Sequence, residues 1–465
     1  MVKSSINNQS NSILNSRINN LGTNINKNGK CVFYVMSRDQ RVKDNHALII
    51  AQKLAIQMKL PLAVVFVLDI VNQQRAKEHY DFMLNGLKEV EHDLKKFNIT
   101  FICLSGNHQS SLQSLIYHTN PAAVFLDLNP LNGPKALAKN LAKNNPVFIV
   151  DTHNIVPVWV ASDKQEYGAR TMRIKIHKHL KQYLVLPEKL QIHPYNWPNN
   201  SLLNLHKVLE LFNKQLSKIP KNNIKLRFQA GETAALNTLE DFINNRFNGY
   251  ANNRNNPTLD NLTNLSPYLH YGQISSLRVI ISCHEATILN PKLQNDYQAL
   301  LEEMVVRKEL SDNYCYYNQY YNSLLGAPLW AQNTLSKHLK DEREFLYTKE
   351  QFEKAQTHDE AWNAAQKQLL INGKIHGYMR MYWAKKVLEW SESPKQAIST
   401  LIYLNDFYSI DGGDPNGYVG ILWSVAGLHD RPWGERTVYG TVRSMVYNGL
   451  KRKFDIKKYI DNNIS

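Results

Sequence analysis

From Cys31 to Val150 the chain alternates short apolar runs with amphipathic stretches. The runs Cys31 to Met36, Leu62 to Leu68, Ile99 to Leu104, Ala122 to Leu126 and Pro146 to Val150 are each of strand length, and helical patterns fall between them at about 46–58, 76–97, 110–119 and 134–143. Apolar at consecutive positions, these runs predict strands buried on both faces; alternating with helices, they predict a five-stranded, doubly wound parallel sheet. Ligands on such sheets sit beyond the carboxyl ends of the strands, where this chain carries Ser37, Arg38 and Asp39, then Asp69 and Asp127. No Gly-x-Gly-x-x-Gly follows the first run, so a nicotinamide-dinucleotide site has no support.

The pattern changes on both sides of this α/β region, which is taken as residues 30–160. Residues 1–29 are rich in Asn and Ser with almost no large apolar positions, a composition too poor in burial to offset ordering entropy, and are expected to form a disordered leader. Residues 161–230 mix Pro, Asn and Lys with short helical pieces and predict an interdomain linker; their histidines, His177, His179, His193 and His206, are expected at the surface. Residues 231–465 predict an all-α domain that ends in a Gly/Asp/Asn-rich loop region and a basic tail.

A chain of 465 residues exceeds what one core normally serves, so at least two domains are expected. Lys plus Arg number 55 against 40 acidic residues, a net charge of +15. This excess points to a polyanion, nucleic acid first. Four scattered cysteines, with no Cys-x-x-Cys, indicate neither a disulfide framework nor a zinc site and suit a reducing compartment. No apolar run approaches a membrane span, and the chain is expected to be intracellular, with no metal.

Within the helical half, Gly373 to Trp390 places Trp383 and Trp390 seven residues apart, about 10 Å along a helix axis and on nearly one face. Trp362 lies on the preceding helical stretch. Three indoles at such spacing form either plain core or a row along which electrons hop. Asn264 to Gly272 puts small polar residues and Pro267 at a helix start, which caps a helix or holds a phosphate. Glu303 and Arg307 form an i, i+4 pair, worth a few tenths of a kcal/mol if exposed. In a cavity the same carboxylate can bond a base and the arginine a phosphate.

The stretches Glu302 to Tyr314, Gly373 to Trp390, Asp411 to Tyr418 and Gly427 to Arg443, with Met36 to Arg41 after the first run, resemble those of the class II cyclobutane pyrimidine dimer photolyases, in the photolyase/cryptochrome superfamily. The similarity runs from Cys31 to about Ile460. It implies an antenna-type α/β domain joined to a helical domain that holds FAD. It further implies that blue light drives an electron from reduced FAD to a pyrimidine dimer flipped out of UV-damaged DNA, the dimer being already poorly stacked. A cryptochrome-like blue-light photoreceptor is the alternative from the same superfamily; a basic nucleic-acid-binding protein without catalysis is the alternative from another class.

Carried over residue by residue, the resemblance implies FAD contacts from Tyr250, Thr263, Asn264, Leu265 and Ser266, an Arg380–Asp411 pair beside the flavin ring with Asp414 close by, and Asn405 against its central nitrogen. Trp383, Trp362 and Trp390 become the photoreduction row, Glu303 the partner of the dimer carbonyls, and Met381 and Trp423 its packing surface. Arg307, Arg431, Trp433, Arg443, Lys451, Arg452 and Lys453 are expected to meet DNA. An antenna chromophore, 8-hydroxy-5-deazaflavin before a folate, is expected in the α/β domain, and the protein is expected to be a monomer. Departures fall at Lys308, Thr441 and Val446, where the family usually has arginine, lysine and asparagine. They bear on DNA and lesion contacts, whereas the flavin residues match.

Overall fold

The computed structural model describes residues 9–70, 75–198, 204–222, 224–225 and 228–464. Six strands form one sheet: β1 (Ile18–Asn20), β2 (Val32–Val35), β3 (Leu62–Leu68), β4 (Thr100–Ser105), β5 (Ala123–Asp127) and β6 (Val147–Val150), in the order β1-β6-β5-β2-β3-β4. The five apolar runs form the parallel part, as expected. Phe33, Val65 and Val124 bury one face while Tyr34, Val64 and Phe125 bury the other, which explains why these strands are apolar at consecutive positions.

The sixth strand corrects the sequence reading. Residues 9–29 belong to the fold: the helix Gln9–Ser16 leads into β1, which pairs antiparallel with β6, Ile18 opposite Val150. An edge strand of Ile-Asn-Asn needs only one paired side, so it carries no apolar run. Its anchor is the fully buried Arg17, whose guanidinium donates to the carbonyls of Asp151, Asn154 and Ile155 at 2.8–3.0 Å. The expected leader's residues 1–8 lie outside the described residues.

The segment read as a linker is also packed. The helix Ala169–Tyr183 buries Met172, Ile176 and Leu180 in a core shared with Tyr268 and Val305, and the helix Leu205–Leu216 lays Leu205 and Val208 on the sheet. His193, expected at the surface, is fully buried, with a ring nitrogen 3.0 Å from the Leu60 carbonyl. The aliphatic stripes of these helices are short, so the Pro/Asn/Lys background hides them.

Helices Gln294–Leu301, Lys308–Tyr317, Glu360–Asn372, Gly377–Glu389, Pro394–Tyr408 and Pro415–Ala426 build much of the second half. Between the first two, Glu302–Arg307 winds as a π-helix. The wider turn moves the neighbour of Arg307 from i−4 to i−5. Arg307 Nε therefore bonds Glu302 Oε1 at 2.9 Å, while Glu303 is left to Arg254 at 3.2 Å. The expected Glu303–Arg307 pair is absent.

The two halves meet through buried charge at the carboxyl edge of the sheet. Arg38 forks onto both oxygens of Asp312 at 2.6 and 2.8 Å, and Glu309 accepts from the Ile155 amide at 2.6 Å. Lys308 belongs here too: it is buried and donates to the His153 carbonyl and Asn154 Oδ1. Its departure from arginine therefore falls on the domain interface.

Candidate functional site

Asp359 assembles the tryptophan row. Its carboxylate caps the helix Glu360–Asn372 by accepting from the Trp362 amide at 2.9 Å, and its second oxygen takes the Tyr382 hydroxyl of the neighbouring helix. Gly373, with φ 64°, ends the first helix in the left-handed conformation that glycine favours, and the chain turns directly into Gly377–Glu389. Trp362 and Trp383 then stack with centroids 6.5 Å apart and planes 11° apart, and Trp390 meets Trp362 edge-on at 6.2 Å. Trp383 Nε1 donates to Gln366 and Trp362 Nε1 to the Trp383 carbonyl. All three are buried. Beyond Trp390 the row meets Tyr347 at 5.8 Å and the exposed His358 at 4.8 Å. The spatial order, Trp383 then Trp362 then Trp390, differs from the order along the chain.

Arg380, three residues before Trp383 on the same helix, centres a polar cluster. Arg380 Nη2 stands 3.5 Å from Asp411 Oδ1, and Arg380 Nη1 donates to Asn405 Oδ1 at 3.4 Å. Burial alone would raise the Asp411 carboxyl; Arg380, helped by Ser409 and Lys374, reverses this and holds it at about 2. The Asn405 amide fits because residue 417 is glycine: a Cβ there would stand 2.8 Å from Asn405 Nδ2. Lys374 Nζ donates to Asn264 Oδ1 at 3.3 Å, and burial pushes its pKa down to about 8. Asn264 itself has φ 56°, between Thr263 and the helix Ser266–His270, and Ser266 Oγ is buried near Asp411, whose carboxyl pKa it helps to lower, without a close hydrogen bond.

This donor set fits a dinucleotide such as FAD. A buried hydroxyl lacks a close partner, a lysine is depressed by burial, and the polar contacts of the Arg380 guanidinium are 3.3–3.5 Å long. An anionic diphosphate and a polar ring would satisfy all three. Lys374 is the member that sequence reading missed, although it lies inside the Gly373–Trp390 stretch. Only the fold brings it to Asn264, 110 positions away in sequence.

The other predicted residues separate by location. Tyr250 is buried beside Arg254 and Phe242; burial, with the charge of Glu303 next, raises its pKa. Asp414 spends its oxygens on the helix start, accepting from Asn416, and on His270 at 3.2 Å. Met381 is half-buried. Half-buried Trp423 lies between Lys385, 4.6 Å from its ring centroid, and Arg443, at 5.8 Å. Burial pushes Lys385 down to about 7, and its Nζ bonds the Ser424 and Arg443 carbonyls. Trp433 is exposed between Arg431 at 5.5 Å and Arg443 at 4.0 Å. Arg307, Lys451, Arg452 and Lys453 are exposed.

A separate cavity of about 1080 Å³ opens between the sheet edge and the helical half, bordered by Arg38, Asp69, Arg75, His108 and Tyr403. Of the residues assigned to FAD only Asp414 lines it. Asp127, a candidate ligand group at this edge, is largely spent on the fold: it accepts from the amides of Ser37, Arg38 and Asp39 and from the Tyr34 hydroxyl. Among the described residues no helix is long and apolar enough to cross a membrane, and no cluster of His, Cys, Asp and Glu suits a metal.

Residues 32–195 match the DNA photolyase family model. The chain is 42% identical over 442 residues to the deoxyribodipyrimidine photo-lyase of Potorous tridactylus, covering 92% of this chain and 80% of that protein. To the enzyme of the same name from Arabidopsis thaliana it is 40% identical, covering 92% and 88%. Among solved structures, the bacterial class III photolyase from Agrobacterium tumefaciens superposes with a TM-score of 0.70 at 18% identity, covering 94% of this chain and 86% of that one. With this fold, this site and these relatives, the chain belongs to the DNA photolyase family.

Proposed function

We propose that this protein is a deoxyribodipyrimidine photo-lyase of class II type, repairing cyclobutane pyrimidine dimers in DNA under blue light. The observation that carries the reading is that one helix, Gly377–Glu389, bears both Arg380, paired with Asp411 and Asn405, and, three residues on, Trp383 of the contiguous Trp383–Trp362–Trp390 row. Arg380, Asn405, Asp411, Lys374 and the 263–266 segment would hold FAD, which when bound supplies the light-driven electron that splits the dimer and then recovers it.

The chain's own part is to bind, orient and insulate. Ionised Asp411 keeps Arg380 in place beside the ring, while Asn405 offers a neutral amide that adds no charge. Trp383, three residues along the helix from Arg380, begins the row, which carries oxidising equivalents outward to Trp390. Glu303, held by Arg254, is the hydrogen-bond partner of the dimer's carbonyls, and Met381 and Trp423 are its packing surface, aromatic stacking being worth about 1–3 kcal/mol per base. Arg307, Arg431, Trp433, Arg443 and Lys451 to Lys453 meet the DNA, where phosphate contacts position rather than specify. The interdomain cavity suits an antenna chromophore, for which 8-hydroxy-5-deazaflavin is our first choice.

Illumination of the reduced protein with a UV-damaged oligothymidine tests the reading, with recovery of thymine absorbance as the signal and a dark sample as control. Light-dependent recovery is expected. A protein that binds and photoreduces FAD yet returns no thymine would be a photoreceptor instead. Trp383→Phe should lose most photoreduction of oxidised FAD and keep repair by the pre-reduced enzyme.

A further inference from the structure

The segment bearing Arg431, Trp433 and Arg443 doubles back through a tight turn. Arg436 and Gly440 exchange backbone hydrogen bonds at 2.9 and 2.8 Å, and Trp433 N donates to the Thr441 carbonyl at 2.8 Å. Inside the turn Val438 has φ 68°. A β-branched residue does not hold that conformation unaided, so surrounding structure must impose it.

The imposing structure is the helix Leu329–Lys337 and the residues that follow it. Val438 N donates to Asp341 Oδ2 at 2.8 Å and Thr441 N to Thr334 Oγ1 at 3.0 Å. Residue 440 is glycine because a Cβ there would strike Thr334 Oγ1 and come within 2.9 Å of His338 Cδ2. His338 joins the two sides. Its Nδ1 is 2.6 Å from Asp341 Oδ2, the same oxygen that holds Val438, and its Nε2 is 2.8 Å from Glu435 Oε1, on the turn itself.

We propose that His338 is a positioning residue for DNA binding: by bridging Asp341 and Glu435 it clamps the 435–440 turn and so fixes Trp433 and Arg443 in the arrangement that meets DNA. The proposal rests on the photolyase reading. An imidazole donates from both nitrogens only when protonated. The hydrogen bonds to Asp341 and Glu435 raise its pKa above the ordinary 6.5. The charged groups around it are Asp341, Glu435, Lys337, which donates to Glu435 at 2.7 Å, and Arg343, which donates to the Asp341 carbonyl. As pH rises through the histidine's pKa, one carboxylate loses its donor and the clamp loosens, so DNA affinity falls. Lys385, on the Arg443 carbonyl, titrates in a neighbouring range, and only the difference between wild type and variant isolates His338.

The test uses the full-length, FAD-loaded protein and a duplex carrying one thymine dimer, with affinity read by fluorescence anisotropy at about pH 6.5 and about pH 8.5. His338→Gln should bind about tenfold more weakly at the lower pH and lose most of the wild-type fall between the two. Photoreduction, and turnover at saturating DNA, should stay unchanged. Glu435→Gln, at an exposed position, should give a smaller loss with the same flattening, and decides the matter alone if His338→Gln fails to fold or retain FAD. Variants that bind as tightly as wild type with the same pH slope overturn the clamp. A wild type that binds the duplex but never repairs it under light overturns the photolyase reading and leaves the clamp to the affinity comparison.

Discussion

Two charged clusters in this molecule differ in how completely they satisfy themselves. At the domain interface Arg38 and Asp312 form a bidentate pair at 2.6 and 2.8 Å with both side chains buried, and their neighbours Lys308, Asn154 and Glu309 all have close partners. Around Arg380 the guanidinium contacts lengthen to 3.3–3.5 Å, although Ser409 Oγ holds Asp411 at 2.5 Å. Lys374 is depressed by burial and reaches Asn264 only at 3.3 Å, and Ser266 Oγ makes no close hydrogen bond. The first cluster is a closed structural joint. The second is poised for something it does not itself contain. Charge density and burial alone do not separate a joint from a ligand site; unspent hydrogen-bonding capacity does.

Breaking the joint should cost most. Asp312→Ala leaves Arg38 buried and uncompensated, for an expected loss of about 3–5 kcal/mol in unfolding free energy, read by denaturant titration. Arg380→Gln leaves Asp411 with Ser409 and Lys374 still beside it, so it should cost clearly less than Asp312→Ala in that titration of flavin-free protein. It should nevertheless weaken flavin retention by about 1.5–3 kcal/mol, the range for hydrogen bonds to charged groups. Equal unfolding losses in the two variants would erase the distinction.

A gentler probe is the pH dependence of the joint. Burial first, and only partly offset by Lys308 and the Ile155 amide, pushes the Glu309 carboxyl up to about 8. The native state therefore keeps a proton that the unfolded chain releases above about 4.5. Stability should fall as pH rises from about 4.5 to about 8 and level off beyond. Glu309→Gln should flatten that slope by about 1–3 kcal/mol, measured as midpoint shifts across the range. An unchanged slope would place the ionisation elsewhere. Smallest are the exposed cations: replacing Lys451 or Arg452 by Ala should lower the salt slope of DNA binding by about one each, whatever the sequence bound.

Much of this was legible before the structure. The five parallel strands follow from consecutive apolar positions and the Trp383–Trp390 spacing from helical periodicity, whereas the Arg380–Asp411 pair follows from the family resemblance. The row's actual sequence in space was not legible, because Trp362 enters between the other two from a different helix. Nor was the partner of Arg307, since nothing in Glu-Glu-Met-Val-Val-Arg announces a π-helix in place of an α-helix.

What the sequence determined by itself was local periodicity: which runs are strands, which faces of helices are apolar, and which aromatic and charged residues fall within one helical stretch. Those properties depend on neighbours a few positions apart, where 2.0 and 3.6 residue repeats act. Tertiary structure alone decided that Ile18–Asn20 joins the sheet, that Lys308 turns into the interface, that Lys374 reaches Asn264, and that His338 bridges Asp341 to Glu435. Each of these settles a polar group against a partner distant in sequence. Polar satisfaction is a global requirement of burial, and it leaves little local pattern for a sequence to display.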